Sequence, residues 1–294
     1  MVSETPVVTV AMPIYNAGGY LRAAVNSIVF QTFTDWELLI IDDGSTDNAT
    51  DTLADLHDPR IRILRDGHNR GLAARLNQAI ELARGEFFAR MDQDDVSWPE
   101  RLERQVERLR SEPSLDLVAT RAIRIDERSD SIGLFPAPKS DADISTRPWQ
   151  GFYMPHPAWT GRLRWFRAHR YATPGPYFCE DQELLLRSYT SSRFAILNDV
   201  LFAYRVRQRF NPAKQFKTRV AVWRVQRAQF RQRRQWGYML LAGLTFSARA
   251  AADVLRRMGW ILTGDAERKP SRLAPVLEAR WLQVRQLVTK ASSA

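Results

Sequence analysis

The sequence predicts an α/β fold in which a mostly parallel sheet is covered by helices, and three observations carry that prediction. β-rich runs alternate with helix-period segments through roughly the first third of the chain, those runs are apolar along their length, and a polar cluster follows three of them. Strands buried on both faces lose the in-and-out alternation of a half-exposed sheet, and an alternating order of strand and helix calls for parallel pairing. In sheets of this kind ligands sit beyond the carboxyl ends of the strands.

Val7 to Met12 reads as the first strand, ended by Pro13 and followed by Asn16, two glycines and the helix-period set Leu21, Val25, Ile28 and Val29. Leu38 to Ile41 is an apolar second strand. The polar loop Asp42-Asp43-Gly44-Ser45-Thr46-Asp47 follows, then a short helical segment to about Leu56. Ile61 to Leu64 reads as a third strand, and Leu72, Leu76, Ala79, Ile80 and Ala83 share one face of a helix. Phe87 to Met91, the fourth strand, runs directly into the acidic turn Asp92-Gln93-Asp94-Asp95. Ser97 with Glu100 has the form of a capping box opening a charged helix from about Trp98 to Arg110. A strand is expected at Leu115 to Ala119, while the rest of 111–150 shows no clear element. The aromatic-, proline- and glycine-rich stretch Trp149 to Pro176 is expected to form an ordered loop lining a pocket. Glu180 to Tyr189 returns to helical spacing, and Phe194 to Leu197 and Val200 to Tyr204 read as two short strands.

A chain of 294 residues with 45% hydrophobic content can bury a core, which excludes a disordered tail. The single cysteine, Cys179, excludes an internal disulfide framework. Met1 is followed by polar residues and not by a basic start and an apolar run, so a cytoplasmic site is expected. No uninterrupted apolar run reaches the roughly 18 to 20 residues that span a bilayer; the nearest, Trp236 to Phe246, stops before Arg249 and Asp253.

The net charge of +10 is unevenly placed, with 20 Lys/Arg against 4 Asp/Glu in residues 201–294. Two regions with different jobs are expected, an α/β domain over residues 1–205 and a basic, mainly helical region over 206–294. Eleven Arg/Lys lie between Arg205 and Arg234, interleaved with Val220, Val222, Trp223 and Phe230, and Trp236 to Trp260 adds a more apolar amphipathic segment. Two arrangements fit such a tail. One is peripheral association with the anionic inner face of a membrane, where each nearby cation contributes on the order of 1 kcal/mol. The other is a helical extension packed on the catalytic domain. A nucleic-acid-binding module would leave the acidic clusters without a purpose, so no specific nucleic-acid partner is expected.

Acidic residues crowded at strand ends repel each other and raise each other's pKa, so their clustering calls for a partner. A divalent cation is the simplest one. Mn2+ or Mg2+ is held by one or two carboxylates plus the oxygens of a substrate phosphate. The alternative is a solvated acidic loop at a helix start. Neither G-x-x-x-x-G-K-[ST] nor G-x-G-x-x-G occurs, so no glycine-rich loop of those kinds is available to cradle a diphosphate, and this favours the metal.

Pro13-Ile14-Tyr15-Asn16, Gln31-Thr32, the loop Ile41 to Asp47, Asn69-Arg70-Gly71-Leu72 and Arg90-Met91-Asp92-Gln93-Asp94-Asp95 occur in this order and spacing. They resemble glycosyltransferase family 2, and His156-Pro157, Glu180-Asp181-Gln182-Glu183-Leu184 and Tyr204-Arg205 resemble its acceptor-side motifs. The resemblance covers roughly residues 5–210. It implies the GT-A fold, a Rossmann-like, mostly parallel mixed sheet flanked by helices, and an inverting transfer from a nucleoside-diphosphate sugar, a UDP-sugar first among them, to a glycan or lipid-linked glycan. Pro13, Tyr15 and Asn16 would form the nucleotide loop, with Tyr15 stacked on the base, Asp43 accepting a hydrogen bond from it and Asp42 close by. Asp92 would face the ribose or sugar beside Gln93, and Asp94 with Asp95 would hold the metal. Asp181, beside Glu180, would be the general base, and His156 is carried among the nucleotide-sugar-binding candidates. Arg75 is carried as a contact to base or phosphate, although Leu76 departs from the family's usual pattern there. Arg90 is either a weak contact or a surface charge. A sugar-nucleotide-forming nucleotidyltransferase and a non-catalytic binding protein using the basic tail are the rival readings. The first would carry a glycine-rich basic loop after the opening strand, and Pro13-Ile14-Tyr15-Asn16 is not one.

Overall fold

The computed structural model describes residues 5–176, 178–206, 212–263 and 272–290. Met1, part of the arginine-rich run after Arg205, and the side chain of Trp260 lie outside the described residues.

The chain opens with β1 (Val8–Ile14), α1 (Leu21–Val29), β2 (Trp36–Asp42), β3 (Ile61–Arg65), α2 (Leu72–Leu82) and β4 (Phe87–Arg90). Every residue of β1, β2 and β4 is buried, as their apolar runs require. β1 pairs in parallel with β2 and with β4, and β2 in parallel with β3. The carboxyl ends of β1, β2 and β4 therefore meet at one edge, and Tyr15, Asp43 and Asp92 follow them there.

The second half comprises β5 (Val96–Ser97), α3 (Arg101–Ser111), β6 (Leu117–Ile125), β7 (Ser131–Leu134), α4 (Asp141–Thr146), β8 (Thr160–Arg162), α5 (Leu163–Ala168), α6 (Glu180–Ser188) and β9 (Phe194–Arg205). The sheet order is β3-β2-β1-β4-β8-β6-β9-β5, with β7 beside β6; β8 runs antiparallel to both its neighbours, so the sheet is mixed. One face packs on α1 and α3 through Leu21, Val25, Ile28, Leu102 and Val106. The other packs on α2, α5 and α6 through Leu76, Ile80, Phe166, Leu184 and Leu185.

Three expectations are corrected. Ser97 does not cap α3: it lies in β5 opposite Phe202, its N–H donates to Ser27 Oγ, and α3 begins at Arg101. The open first turn is capped from afar by Gln31 Oε1, which accepts from the Leu102 N–H at 2.9 Å. The stretch read as a lining loop contains β8 and α5. Gly161 lets β8 approach its neighbours, because a Cβ there would lie 2.7 Å from the Asp116 carbonyl oxygen. The two short strands near the end are one strand, β9, and its register against β6 shifts around Thr120 and Arg121, opposite Leu197 to Val200.

The C-terminal region forms α7 (Pro212–Gln232), α8 (Trp236–Thr263) and α9 (Pro275–Lys290). Phe230 of α7 and Ala242 of α8 are buried in the core that holds Leu184 and Leu185. Trp281, Val284 and Val288 of α9 join Val96, Trp98, Ile123 and Leu201 on another part of the domain. Asn26 Nδ2 donates to the Val288 carbonyl, and Trp281 Nε1 to that of Ser129. The helical extension is thus packed on the sheet domain. Within α8 the stretch Trp236–Leu255, of mean hydropathy 1.2, is long and apolar enough by length and composition to cross a membrane, although Arg249 and Asp253 interrupt it.

Candidate active site

The loops after β1, β2 and β4 close around a crevice of about 190 Å³ lined by Pro13, Ile14, Tyr15, Asp43, Leu72, Arg75, Asp92, Gln93 and Asp94. Asn16 adopts φ of 48°, a left-handed conformation that asparagine tolerates better than most residues. Its Oδ1 accepts from the Thr46 N–H at 2.8 Å, and its own N–H donates to Ser45 Oγ, so the first two loops are tied together. Gln93 grips the backbone of Tyr15 from both sides: Oε1 accepts from the Tyr15 N–H at 2.6 Å and Nε2 donates to the Tyr15 carbonyl at 3.0 Å. Tyr15 keeps 48% of its surface open at the rim.

Asp43 is buried and occupied. Its Oδ1 accepts from the Arg70 N–H and from Arg75 Nε, and its Oδ2 from the Gly71 N–H at 2.9 Å. Asp42 is turned into its own loop, where Oδ1 accepts from the Ser45 N–H at 2.9 Å, and it does not line the crevice. Arg75 differs from the expectation of a base or phosphate contact, because all five of its N–H donors are engaged. Nε bonds Asp43, Nη1 bonds Asp66 and Gln78, and Nη2 bonds Asp66 and the His68 carbonyl. Its guanidinium is a strut between the second loop and the segment before α2. Arg75→Met is therefore expected to cost on the order of 3 kcal/mol in urea denaturation, since it strands the buried Asp43 carboxylate. Arg75→Lys recovers only part of this, lacking the five-donor fork.

Asp92, Asp94 and Asp95 bring carboxylate oxygens within 4.8 Å of one another, and among the described residues they are the one such acidic or ligating group. Asp95 is buried; its Oδ1 accepts from the Arg205 N–H at 2.7 Å, while its Oδ2 is buried with no hydrogen-bond partner. Burial, then repulsion from Asp92 and Asp94, pushes the Asp95 carboxyl well above the usual carboxylate range. An orphaned buried oxygen among like charges is the donor set a hard divalent cation fits. Arg205 braces the turn by donating from Nε to the Asp94 carbonyl at 2.7 Å, and Arg101 Nη2 donates to the Arg90 carbonyl at 2.7 Å.

Arg90 is not a surface charge. It is 2% exposed, and its Nη2 lies 2.8 Å from Asp92 Oδ1. Nε and Nη1 are buried without hydrogen-bond partners. Burial alone would lower its pKa, but the Asp92 carboxylate prevails and holds the guanidinium charged. Its charge also favours the ionised forms of Glu180 and Asp181, at the start of α6. Glu180 and Asp181 are both pushed above the ordinary carboxylate range by burial, and Glu180 further by Asp181.

His156 is buried behind the site and does not line the crevice: its Nε2 is 2.8 Å from the Tyr171 hydroxyl, and its ring meets Trp159 edge-on at 4.5 Å. Burial, and secondarily Arg90, lowers its pKa and keeps it neutral. Gln182 was not singled out from the sequence. It clamps the Phe152 backbone through Oε1 at 2.8 Å and Nε2 at 3.0 Å, and the same Nε2 lies 3.2 Å from Asp181 Oδ2. One signal for Arg90 was present, a lone charge inside an otherwise apolar buried strand.

Residues 9–170 match the family described as Glycosyl transferase family 2. The Escherichia coli "UDP-Glc:alpha-D-GlcNAc-diphosphoundecaprenol beta-1,3-glucosyltransferase WfgD" is 37% identical over 99 residues, which is 34% of this chain and 39% of that protein. The Escherichia coli "Chondroitin synthase" is 34% identical over 131 residues, 44% of this chain and 19% of that protein. The chain thus spans less than half the length of the curated relatives it matches. Among solved structures, S. aureus TarS 1-349 in complex with UDP-GlcNAc superposes with a TM-score of 0.62 at 17% identity, covering 97% of this chain and 82% of that one. A mannosyltransferase from Pyrobaculum calidifontis in complex with GDP-Man and Mn2+ gives a TM-score of 0.58 at 18% identity, covering 99% and 87%. These likenesses agree with the mixed sheet and its flanking helices, and the match over more than half of the sequence assigns this chain to glycosyltransferase family 2.

Proposed function

We propose that this chain is an inverting glycosyltransferase that moves a sugar from a nucleoside-diphosphate sugar to a hydroxyl of a glycan or lipid-linked glycan, with the help of a divalent metal. The observation that carries this reading is the crevice in which the Tyr15 rim meets Asp92 and Asp94 of the acidic cluster, with Arg90 paired to Asp92 and its charge acting on the raised carboxyls of α6. Two of the solved neighbours are complexes, one with UDP-GlcNAc and one with GDP-Man and Mn2+, which supports a nucleotide-sugar donor and a metal.

In this reading Tyr15 stacks on the base, and Asp43, held by Arg75, fixes the wall beside it. Asp92 orients the ribose or sugar, and Asp94 and Asp95 hold Mn2+ or Mg2+. Such an ion supplies charge stabilisation to the departing diphosphate. Asp181 takes the proton of the acceptor hydroxyl as its oxygen bonds the anomeric carbon and the bond to the diphosphate breaks, so the configuration inverts and no covalent enzyme intermediate forms. A raised pKa brings this base nearer to neutrality, where general-base transfer is most efficient. Residues 1–205 form the catalytic unit, and the basic region 206–294 holds it at the inner face of the membrane.

Incubation with UDP-, GDP-, dTDP- and CDP-sugars in Mn2+ tests the reading by measuring nucleoside diphosphate release. Release from the sugars of one base, abolished by EDTA, is expected. A folded protein that turns over none of them contradicts it.

A further inference from the structure

The surface of α8 carries a feature the catalytic reading does not use. Every exposed residue between Trp236 and Leu255 is apolar, glycine, alanine or serine, and no charge stands on that face. Leu240, Leu244 and Leu255 are 66, 59 and 68% exposed. A water-facing helix surface of this length without a charge marks an interaction surface. The two charged residues of the stretch point the other way. Arg249 Nη2 donates to the Gln150 carbonyl at 3.0 Å and to the Tyr153 hydroxyl at 2.7 Å, and Asp253 accepts from Gln215 Nε2 and Arg219 Nη2 of α7, each at 3.0 Å.

Charge selects the occupant. α7, the other arm of the hairpin, carries six Lys/Arg and no Asp or Glu, and Lys214, Lys217, Arg224, Arg227 and Arg231 are exposed. An apolar helix face beside an all-basic helix matches an anionic lipid surface, with acyl chains for the first and headgroups for the second.

The inward contacts decide between lying on the bilayer and crossing it. Tyr238 packs on Trp149 at 5.0 Å, Ala242 is buried in the core, Phe246 stacks on Trp223 at 5.4 Å, and Asp253 is bound to α7. α8 is pinned along its length to α7 and, through Trp149, Gln150 and Tyr153, to the domain before it, and a helix crossing the bilayer would have to bring these polar partners into hydrocarbon. We infer that α8 lies in the plane of an anionic bilayer, with its Trp236–Leu255 face at the headgroup–acyl boundary and the cations of α7 on the headgroups beside it. This deepens the membrane-surface location proposed above and rests on it.

The test is flotation of the full chain with phosphatidylcholine vesicles and with equimolar phosphatidylcholine and phosphatidylglycerol vesicles, for the wild type and for Leu240→Asp/Leu244→Asp. The wild type is expected to float only with the anionic vesicles and to be released by alkaline carbonate. The double variant, with unchanged thermal midpoint and nucleotide binding, is expected to lose at least about tenfold in vesicle affinity. A wild type that binds no vesicle overturns the membrane location itself. Equal binding of wild type and variant leaves that location standing and overturns the role of the α8 face. Resistance to carbonate overturns the in-plane placement, and a lipid-free dimer dissociated by the same substitutions assigns the face to a second copy.

Discussion

Asp181→Asn is expected to lower kcat by on the order of 10²- to 10⁴-fold, the usual span for loss of a general base, while nucleotide affinity and the thermal midpoint change little. The amide keeps the shape and the Gln182 contact but cannot take a proton. Glu180→Gln separates the two neighbouring carboxyls: if Asp181 is the base, this variant retains most of kcat and keeps the acid limb. The sign follows from the environment. Burial raises both carboxyls in the folded protein, so their ionised forms are disfavoured there, and kcat is expected to rise with pH through a value above the usual carboxylate range. By linkage, each contributes stability that is fully present below its unfolded-state pKa of about 4 and is lost as pH rises through the higher folded value. A pH–rate profile of the three proteins checks the assignment.

Asp94→Ala is expected to abolish the strengthening of nucleoside diphosphate binding by Mn2+ and to lower kcat/KM by about 10²-fold or more, with the fold retained. The side chain lines the crevice at a turn braced by Arg205, so its loss removes a ligand without opening the core. Asp95→Asn acts differently. Asp95 is buried, and its ionised form is disfavoured by Asp92 and Asp94 until a cation joins them. Removing its charge is expected to weaken Mn2+ while sparing stability in EDTA. A charge that repels its neighbours contributes only when the metal is present, and parallel thermal melts with Mn2+ and with EDTA read the difference directly.

Much of the architecture was legible because the signals were local. Val10 to Met12, Leu38 to Ile41 and Phe87 to Ala89 are apolar runs that a doubly covered sheet buries, and each leads to a polar loop. The helix α2 shows on one face at the spacing Leu72, Leu76, Ala79, Ile80 and Ala83. What failed depended on distant partners. Ser97 has a helix-cap pattern, but pairing with Phe202 and the Ser27 hydroxyl claims it for a strand. Asn198-Asp199 looks like a break between strands, yet Thr120 Oγ1 donates to the Asp199 carbonyl at 2.6 Å and holds the irregularity inside one strand.

The site was legible as a set of residue types and less so as roles. Pro13, Tyr15, Asp43, Arg75, Asp92, Gln93 and Asp94 do line one crevice. Arg75 turned from ligand contact to strut because Asp66, nine residues before it, takes its donors, and no periodicity links those positions. Gln93 has an internal task, holding Tyr15 by its backbone. Arg90 became central because burial leaves Asp92 as its one close counter-charge while Glu180 and Asp181 come from a helix far along the chain.

Isothermal titration of the purified chain with UDP, GDP, dTDP and CDP, each in Mn2+ and in EDTA, tests the central claim most directly. The account predicts that one nucleoside diphosphate binds in Mn2+, weakens by about tenfold or more in EDTA, and reciprocally tightens Mn2+ by the same factor, as linkage requires. Binding of none of the four by the folded protein, or binding that is indifferent to the metal, would contradict it.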